Sequence, residues 1–191
     1  MRVAIFGGSF DPPHIGHLLA ATDAFEALAL DRLIFVPAAV QPLKVGRAAA
    51  TAAQRLAMVQ RLAEGDPRFT VDPIEIDREG LSYTVDTLES LARTDPADER
   101  FLLLGADALA AFPAWREPER IVRLARLAVL RRPGSAGASA AVPGPAPVLL
   151  QTRFVEVSSS EIRERVKAGK PIRGFVTDSV AELIASERLY R

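Results

Sequence analysis

Continuous apolar runs occupy residues 2–6, 32–36, 100–104 and 127–130, with a weaker fifth at 148–150. Each is a solid block rather than an alternating one. That pattern predicts strands buried on both faces. Between them, apolar residues recur at helical spacing over 15–30, 51–63, 82–92, 107–112, 118–124, 158–168 and 177–186. Residues 69–76 read as extended. Two helix starts carry capping boxes, Thr51 with Gln54 and Ser158 with Glu161, and Gly65 is a suitable helix stop. The stretch 134–147 is rich in Gly, Ala, Ser and Pro and predicts a mobile loop. No internal repeat interrupts the order. Strands alternating with helices predict an α/β fold. It would be a Rossmann-like, doubly wound parallel sheet in a single domain over 1–191, with a small helical C-terminal part at 158–191.

Composition narrows the function classes. The chain has 191 residues, 49% hydrophobic and 25% charged, enough for one well-packed core. Its formal net charge is zero, so a broad nucleic-acid footprint is not expected and any anion site must be local. There is no cysteine, which removes disulfides, thiolate metal sites and cysteine nucleophiles. The first strand begins at residue 1 or 2, leaving no room for a signal peptide, and arginines interrupt every candidate membrane span. A cytoplasmic enzyme is the expectation.

In such sheets ligands bind beyond the carboxyl ends of the strands, beside helix N-termini. The first strand end reads Gly7-Gly8-Ser9-Phe10-Asp11-Pro12-Pro13-His14-Ile15-Gly16-His17. The glycines permit a tight turn and close approach of a phosphate. His14 and His17 are the chain's two histidines, one turn apart at a helix start. There a protonated imidazole would add a donor and a charge. A second cluster, Ser158-Ser159-Ser160 with Arg163 one turn on, offers hydroxyls, helix N–H groups and a guanidinium to a polyphosphate. Capping alone would also explain Ser158 and Glu161. Lys44, after the second strand, can reach a phosphate as a point charge, though a lone loop lysine is usually only solvated.

These elements resemble the nucleotidyltransferase superfamily related to class I aminoacyl-tRNA synthetases. His14-Ile15-Gly16-His17 is similar to its HxGH signature, and Ser158–Arg163 to its SSTxIR motif with Ser160 in place of Thr. Ser82-Tyr83-Thr84-Val85-Asp86-Thr87-Leu88 resembles the SYTxDTL segment of nicotinate mononucleotide adenylyltransferases, as does Gly105-Ala106-Asp107 followed by Trp115-Arg116. The ending, 181–190, fits as well. The resemblance covers almost the whole chain and is weakest over 46–53 and 134–147. Leu43 departs from the family's usual His before Lys44, which touches a secondary phosphate contact.

The resemblance implies a single nucleotidyltransferase domain that transfers AMP from ATP to nicotinate mononucleotide, in NAD biosynthesis. His14, His17, Lys44 and Arg163 would be catalytic. Gly7, Gly8, Ser9, Phe10, His17, Gly105, Asp107, Arg131, Ser158, Ser159, Ser160 and Arg163 would meet ATP. Ser9, Lys44, Tyr83, Thr84, Trp115 and Arg116 would meet the acceptor. Trp115 offers a face for a pyridine ring, although a lone Trp is more often core. Asp107 can accept from a ribose hydroxyl or act as a helix cap. Mg²⁺ would ride on ATP phosphates and water, with no dedicated protein metal site. No Ser-His-Asp arrangement stands out, so the chemistry reads as direct in-line displacement. The partners expected are two small molecules, without nucleic acid or membrane; homo-oligomerisation stays open. Three alternatives also stay open: a phosphopantetheine adenylyltransferase, equal use of nicotinamide mononucleotide, and a non-catalytic nucleotide-binding regulator on the same scaffold.

Overall fold

The computed structural model describes residues 1–42, 46, 48–131, 142–153 and 155–191. Six strands form its sheet: β1 (Arg2–Gly8), β2 (Arg32–Pro37), β3 (Phe69–Val71), β4 (Glu99–Gly105), β5 (Arg126–Arg131) and β6 (Val148–Gln151). Their order is β3-β2-β1-β4-β5-β6, and every pairing is parallel. The doubly wound arrangement expected from the sequence is therefore present.

Because side chains alternate across a strand, each solid apolar run supplies two cores. Ala4, Phe6, Leu33, Phe35, Phe101 and Leu103 face one way. They meet α1 (Ile15–Ala27), α2 (Ala52–Ala63), α7 (Ser159–Lys167) and α8 (Asp178–Ser186), which bury Ala21, Met58, Ile162 and Val180. Val3, Ile5, Ile34, Val36, Leu102 and Leu104 face the other way. There they meet α4 (Thr84–Thr94), α5 (Ala106–Ala111), a 3₁₀ turn (Phe112–Ala114) and α6 (Pro118–Leu124). The C-terminal helices α7 and α8 share the first core with the sheet. The chain leaves β1 toward β2 and β3, then returns to place β4 on β1's other side. The crevice at this reversal, beyond Gly8 and Gly105, is where such sheets bind ligands.

Four local readings change. The extended stretch 69–76 is a strand only over Phe69–Val71, followed by the short α3 (Ile74–Arg78). Asp72 starts that turn by accepting the Ile74 N–H through its side chain at 2.9 Å. The first helix ends at Ala27 rather than 30. Ala29 turns into the left-handed region at φ 46°, yet Leu28 and Leu30 are still buried, so the apolar pattern outlasts the helix. The helix expected from 82 begins at Thr84, because the Ser82 hydroxyl is engaged by the Ala39 N–H at 2.9 Å. At α7 only the forward half of the capping box forms: Ser158 Oγ accepts from the Glu161 N–H at 3.2 Å. Thr51 and Gln54 make both halves. Of the expected loop, 134–141 lie outside the described residues. Val142 packs on the second core and Gly144 turns beside Val122. Among the described residues no helix is long and apolar enough to cross a membrane.

Candidate active site

Two half-sites meet at the carboxyl end of β1. The first begins with the turn after Gly8. Phe10 takes a positive φ of 48° and drives its ring into the core against Phe6, Phe35 and His17. With its ring buried, Phe10 has only its main chain to offer a ligand. His14 caps α1, and its N–H donates to His17 Nδ1 at 3.1 Å. That bond makes Nδ1 the acceptor of the neutral His17 ring and puts its proton on Nε2. The two imidazoles stack with centroids 3.8 Å apart. A Cβ on Gly16 would lie 3.1 Å from His14 Cε1 and Nδ1 and 3.2 Å from Val157 Cγ1. The glycine between the histidines therefore makes room for the His14 ring.

Burial pushes His14 down to about 4 and holds His17 well below the usual imidazole range, with His14 adding to the effect. In the free protein both rings are neutral at pH 7. The expected imidazolium is thus corrected: desolvation beside the Phe6–Phe10 aromatic cluster outweighs the helix terminus. His14 Nδ1 is buried without a hydrogen-bond partner.

The start of α7 abuts this turn. Ser159 Oγ donates to the Pro12 carbonyl at 2.8 Å, and Arg163 Nη1 donates to the Asp11 carbonyl at 2.7 Å. Arg163 Nη2 also donates to Ser160 Oγ at 3.1 Å. Ser159 thus commits its hydroxyl proton to the protein, whereas Ser158 and Ser160 accept through their oxygens and keep a proton to donate. The start of α7 offers a ligand first-turn N–H groups, the Ser158 and Ser160 hydroxyls and the half-buried guanidinium.

The second half-site is a cavity of about 900 Å³, counting its open mouth. Gly7 and Gly8 form one edge, Tyr83 and Thr84 one wall, and Trp115 with Arg116 another. Trp115 packs on Phe112, centroids 5.4 Å apart, and lines the cavity. Arg116 lies over the Tyr83 ring at 4.8 Å and pairs with Asp86 at 3.8 Å. Tyr83 makes no side-chain cap, so the start of α4 is open to a ligand's negative charge. Ser9 Oγ donates to Gln41 Oε1 at 2.8 Å, and Gln41 lines the same cavity.

Gly105, Asp107 and Arg131 stand at the carboxyl ends of β4 and β5, outside this cavity lining. Asp107 is in the first turn of α5, whose N-cap is Gly105, so it is not the helix cap. The Arg131 carbonyl accepts from both the N–H and hydroxyl of Thr152. Lys44 and Leu43 lie outside the described residues. Among the described residues no group of three or more His, Asp or Glu is placed to hold a metal ion.

Sequence reasoning passed over Arg55, Asp11 and Glu75. Arg55 shares the buried face of α2 with Met58, Val59 and Leu62, a charge on an apolar stripe. That mismatch was a readable signal. Glu75 is a buried carboxyl in the cavity lining that accepts from the Thr87 hydroxyl at 2.8 Å. Burial pushes it up, against the pull of Thr87, Ser82 and Arg78.

The cytidylyltransferase-like family matches residues 5–165. A probable nicotinate-nucleotide adenylyltransferase of Gemmatimonas aurantiaca is 48% identical over 204 residues, covering 100% of this chain and 93% of that protein. One from Thermus thermophilus is 47% identical over 191 residues, covering 100% of both. A Plasmodium falciparum nicotinic acid mononucleotide adenylyltransferase complexed with NaAD shares the fold at a TM-score of 0.78 and 17% identity, covering 99% of this chain and 97% of that one.

Proposed function

Because this chain belongs to the cytidylyltransferase-like family and, within it, to the nicotinate-nucleotide adenylyltransferases, we propose that it joins the AMP part of ATP to nicotinate mononucleotide. Nicotinate adenine dinucleotide forms and pyrophosphate leaves. The observation that carries this reading is the meeting of two chemically different half-sites at Gly7 and Gly8. One offers donors suited to polyphosphate, the other an aromatic cavity beside an open helix start.

The acceptor's phosphate attacks the α-phosphorus of ATP in line, and the bond to the β-phosphate oxygen breaks. The work of the protein is positioning and charge stabilisation. His17 Nε2–H donates to an α-phosphate oxygen, and His14 sits stacked against it. Arg163 and the first N–H groups of α7 hold the β- and γ-phosphates. Asp107 and Arg131 lie on the ATP side, beyond β4 and β5. Trp115 stacks on the pyridine, while the start of α4 at Thr84 takes its carboxylate. A bound anion of this kind favours N–H donors, so nicotinate is preferred over nicotinamide.

Mg²⁺ would enter with the nucleotide. The nearby side chains are imidazoles, hydroxyls and guanidiniums, a poor donor set for this ion, so phosphate oxygens and water would hold it. When bound it neutralises phosphate charge.

The test is pyrophosphate release with ATP, Mg²⁺ and a panel of acceptors. Nicotinate mononucleotide should turn over fastest, with phosphopantetheine slower by orders of magnitude. Faster phosphopantetheine turnover would overturn the substrate. ATP binding without turnover of any acceptor would point to a regulator.

A further inference from the structure

Tyr190, which follows α8, is a buried titratable group that the mechanism above leaves without a task. Its residue adopts φ 63°, a left-handed conformation that a tyrosine takes only when its surroundings hold it there. The ring belongs to the first core, and the hydroxyl donates to Asp11 Oδ1 at 2.8 Å. The same carboxylate accepts from Ala50 N–H at 3.1 Å on Oδ1 and from Ala49 N–H at 2.7 Å on Oδ2. Asp11 thereby ties three distant segments together: the turn after β1, the approach to α2, and the tail after α8. Its own carbonyl is the acceptor that aims Arg163. Arg55 adds a second guanidinium, donating to the carbonyls of Ser9 and Ala39 at 2.8 Å each. Burial and the Asp11 charge hold the phenol proton on, so the hydroxyl is a permanent donor.

We propose that Tyr190 is a positioning residue for ATP: through Asp11 it fixes the main chain on which Arg163 and the histidine turn are aligned. The segments it joins belong to the first face of the sheet, with α2, α7 and α8. The acceptor cavity takes its walls from α4, the 3₁₀ turn and α6 on the second face. Loss of the hydroxyl is therefore felt mainly by ATP, since the turn borders the acceptor cavity only through Gly8 and the Ser9–Gln41 bond. This inference rests on the ATP half of the proposed function.

Tyr190→Phe keeps the ring and removes the donor; Asp11→Asn keeps the shape and removes the charge. Steady-state kinetics of both variants and the double variant, at temperatures well below each melting point, test the proposal. Tyr190→Phe should raise the ATP KM about tenfold, the effect of one misplaced charge-assisted contact. The nicotinate mononucleotide KM should stay within about twofold, since residues without shared partners do not couple. The double variant should be no worse than Asp11→Asn alone, as expected of two members of one network. Equal rises in both KM values, no change in either, or failure of both single variants to fold would each overturn the proposal. A wild-type protein inactive with ATP and nicotinate mononucleotide would defeat the functional reading instead; an active one with an unsplit KM would defeat only this inference.

Discussion

Gly16→Ala is a one-methyl probe of the histidine pair. The added Cβ would sit 3.1 Å from His14 Cε1 and Nδ1, against ordinary carbon contacts of about 3.5–4.0 Å. Val157 Cγ1 at 3.2 Å blocks retreat of the new methyl toward the segment before α7. The His14 ring must give way by a few tenths of an ångström, and it is stacked on His17 with centroids 3.8 Å apart. A 1 Å misplacement costs roughly 10²-fold in rate, so a shift of this size should lower kcat by about four- to sixfold. Stability should move little. Overpacking costs about 1–3 kcal/mol, and replacing a helical glycine returns up to about 1 kcal/mol. At about 2–4 °C per kcal/mol for a chain of this length, Tm should fall by under about 8 °C. Pyrophosphate-release kinetics with a thermal melt check both numbers. Wild-type kcat in a folded variant would show that His14 does not need the space Gly16 leaves. A collapse of Tm would show that the glycine serves folding.

The remaining expectations concern charge and burial. His17→Ala removes a preorganised donor and should lower kcat by about 10²–10³-fold, with a smaller change in the ATP dissociation constant; loss of affinity alone would make it only a binding residue. Because both histidines are neutral in the free protein, kcat/KM for ATP should be flat from pH 7 to about 8.5, above the phosphate second pKa of about 6. A tenfold fall per pH unit there would show that an imidazolium is required. His14 binds its proton later in the folded chain, near 4, than in the unfolded one at 6.5. Stability should therefore be lost as pH falls through that window, by about 3 kcal/mol from His14, visible in urea midpoints. A stability that rose on acidification through the same range would contradict its burial as the neutral form. Glu75, pushed up by burial, loses stability as pH rises through its folded pKa. At pH 7 Glu75→Gln should be neutral or stabilising, while Glu75→Ala should cost about 1–3 kcal/mol by stranding a buried hydroxyl. Equal destabilisation by Gln and Ala would show that the charge is needed.

The sheet was legible because its strands are buried on both faces, so runs such as 32–36 needed no partner information to be recognised. Helix starts were legible where a side chain closes the cap, as at Thr51. Boundaries failed where tertiary contacts compete. Ser82 is drawn to the Ala39 N–H, and Leu30 is buried beyond the end of α1. That the histidine turn and the start of α7 come together follows the motifs, but the protonation of the histidines was not readable. Neutral histidines follow from burial, for His17 beside Phe6 and Phe10, and spacing along the chain carries no desolvation. Likewise Ser159 reads as a free hydroxyl, whereas the Pro12 carbonyl, 147 residues away, takes its proton. The pairing of Asp11 with Tyr190 spans 179 residues and leaves no periodic trace.

In the proposed reaction one turn after β1 serves two half-sites, phosphate donors on one side and a pyridine cavity on the other. Calorimetric titration of Arg163→Ala and Trp115→Ala with ATP and with nicotinate mononucleotide tests this most directly. Arg163→Ala should weaken ATP while leaving the acceptor nearly unchanged. Trp115→Ala should do the reverse, by the roughly 1–3 kcal/mol that stacking on an aromatic ring is worth. If either variant weakened both ligands alike in a folded protein, the two half-sites would not be separate and the account would fail.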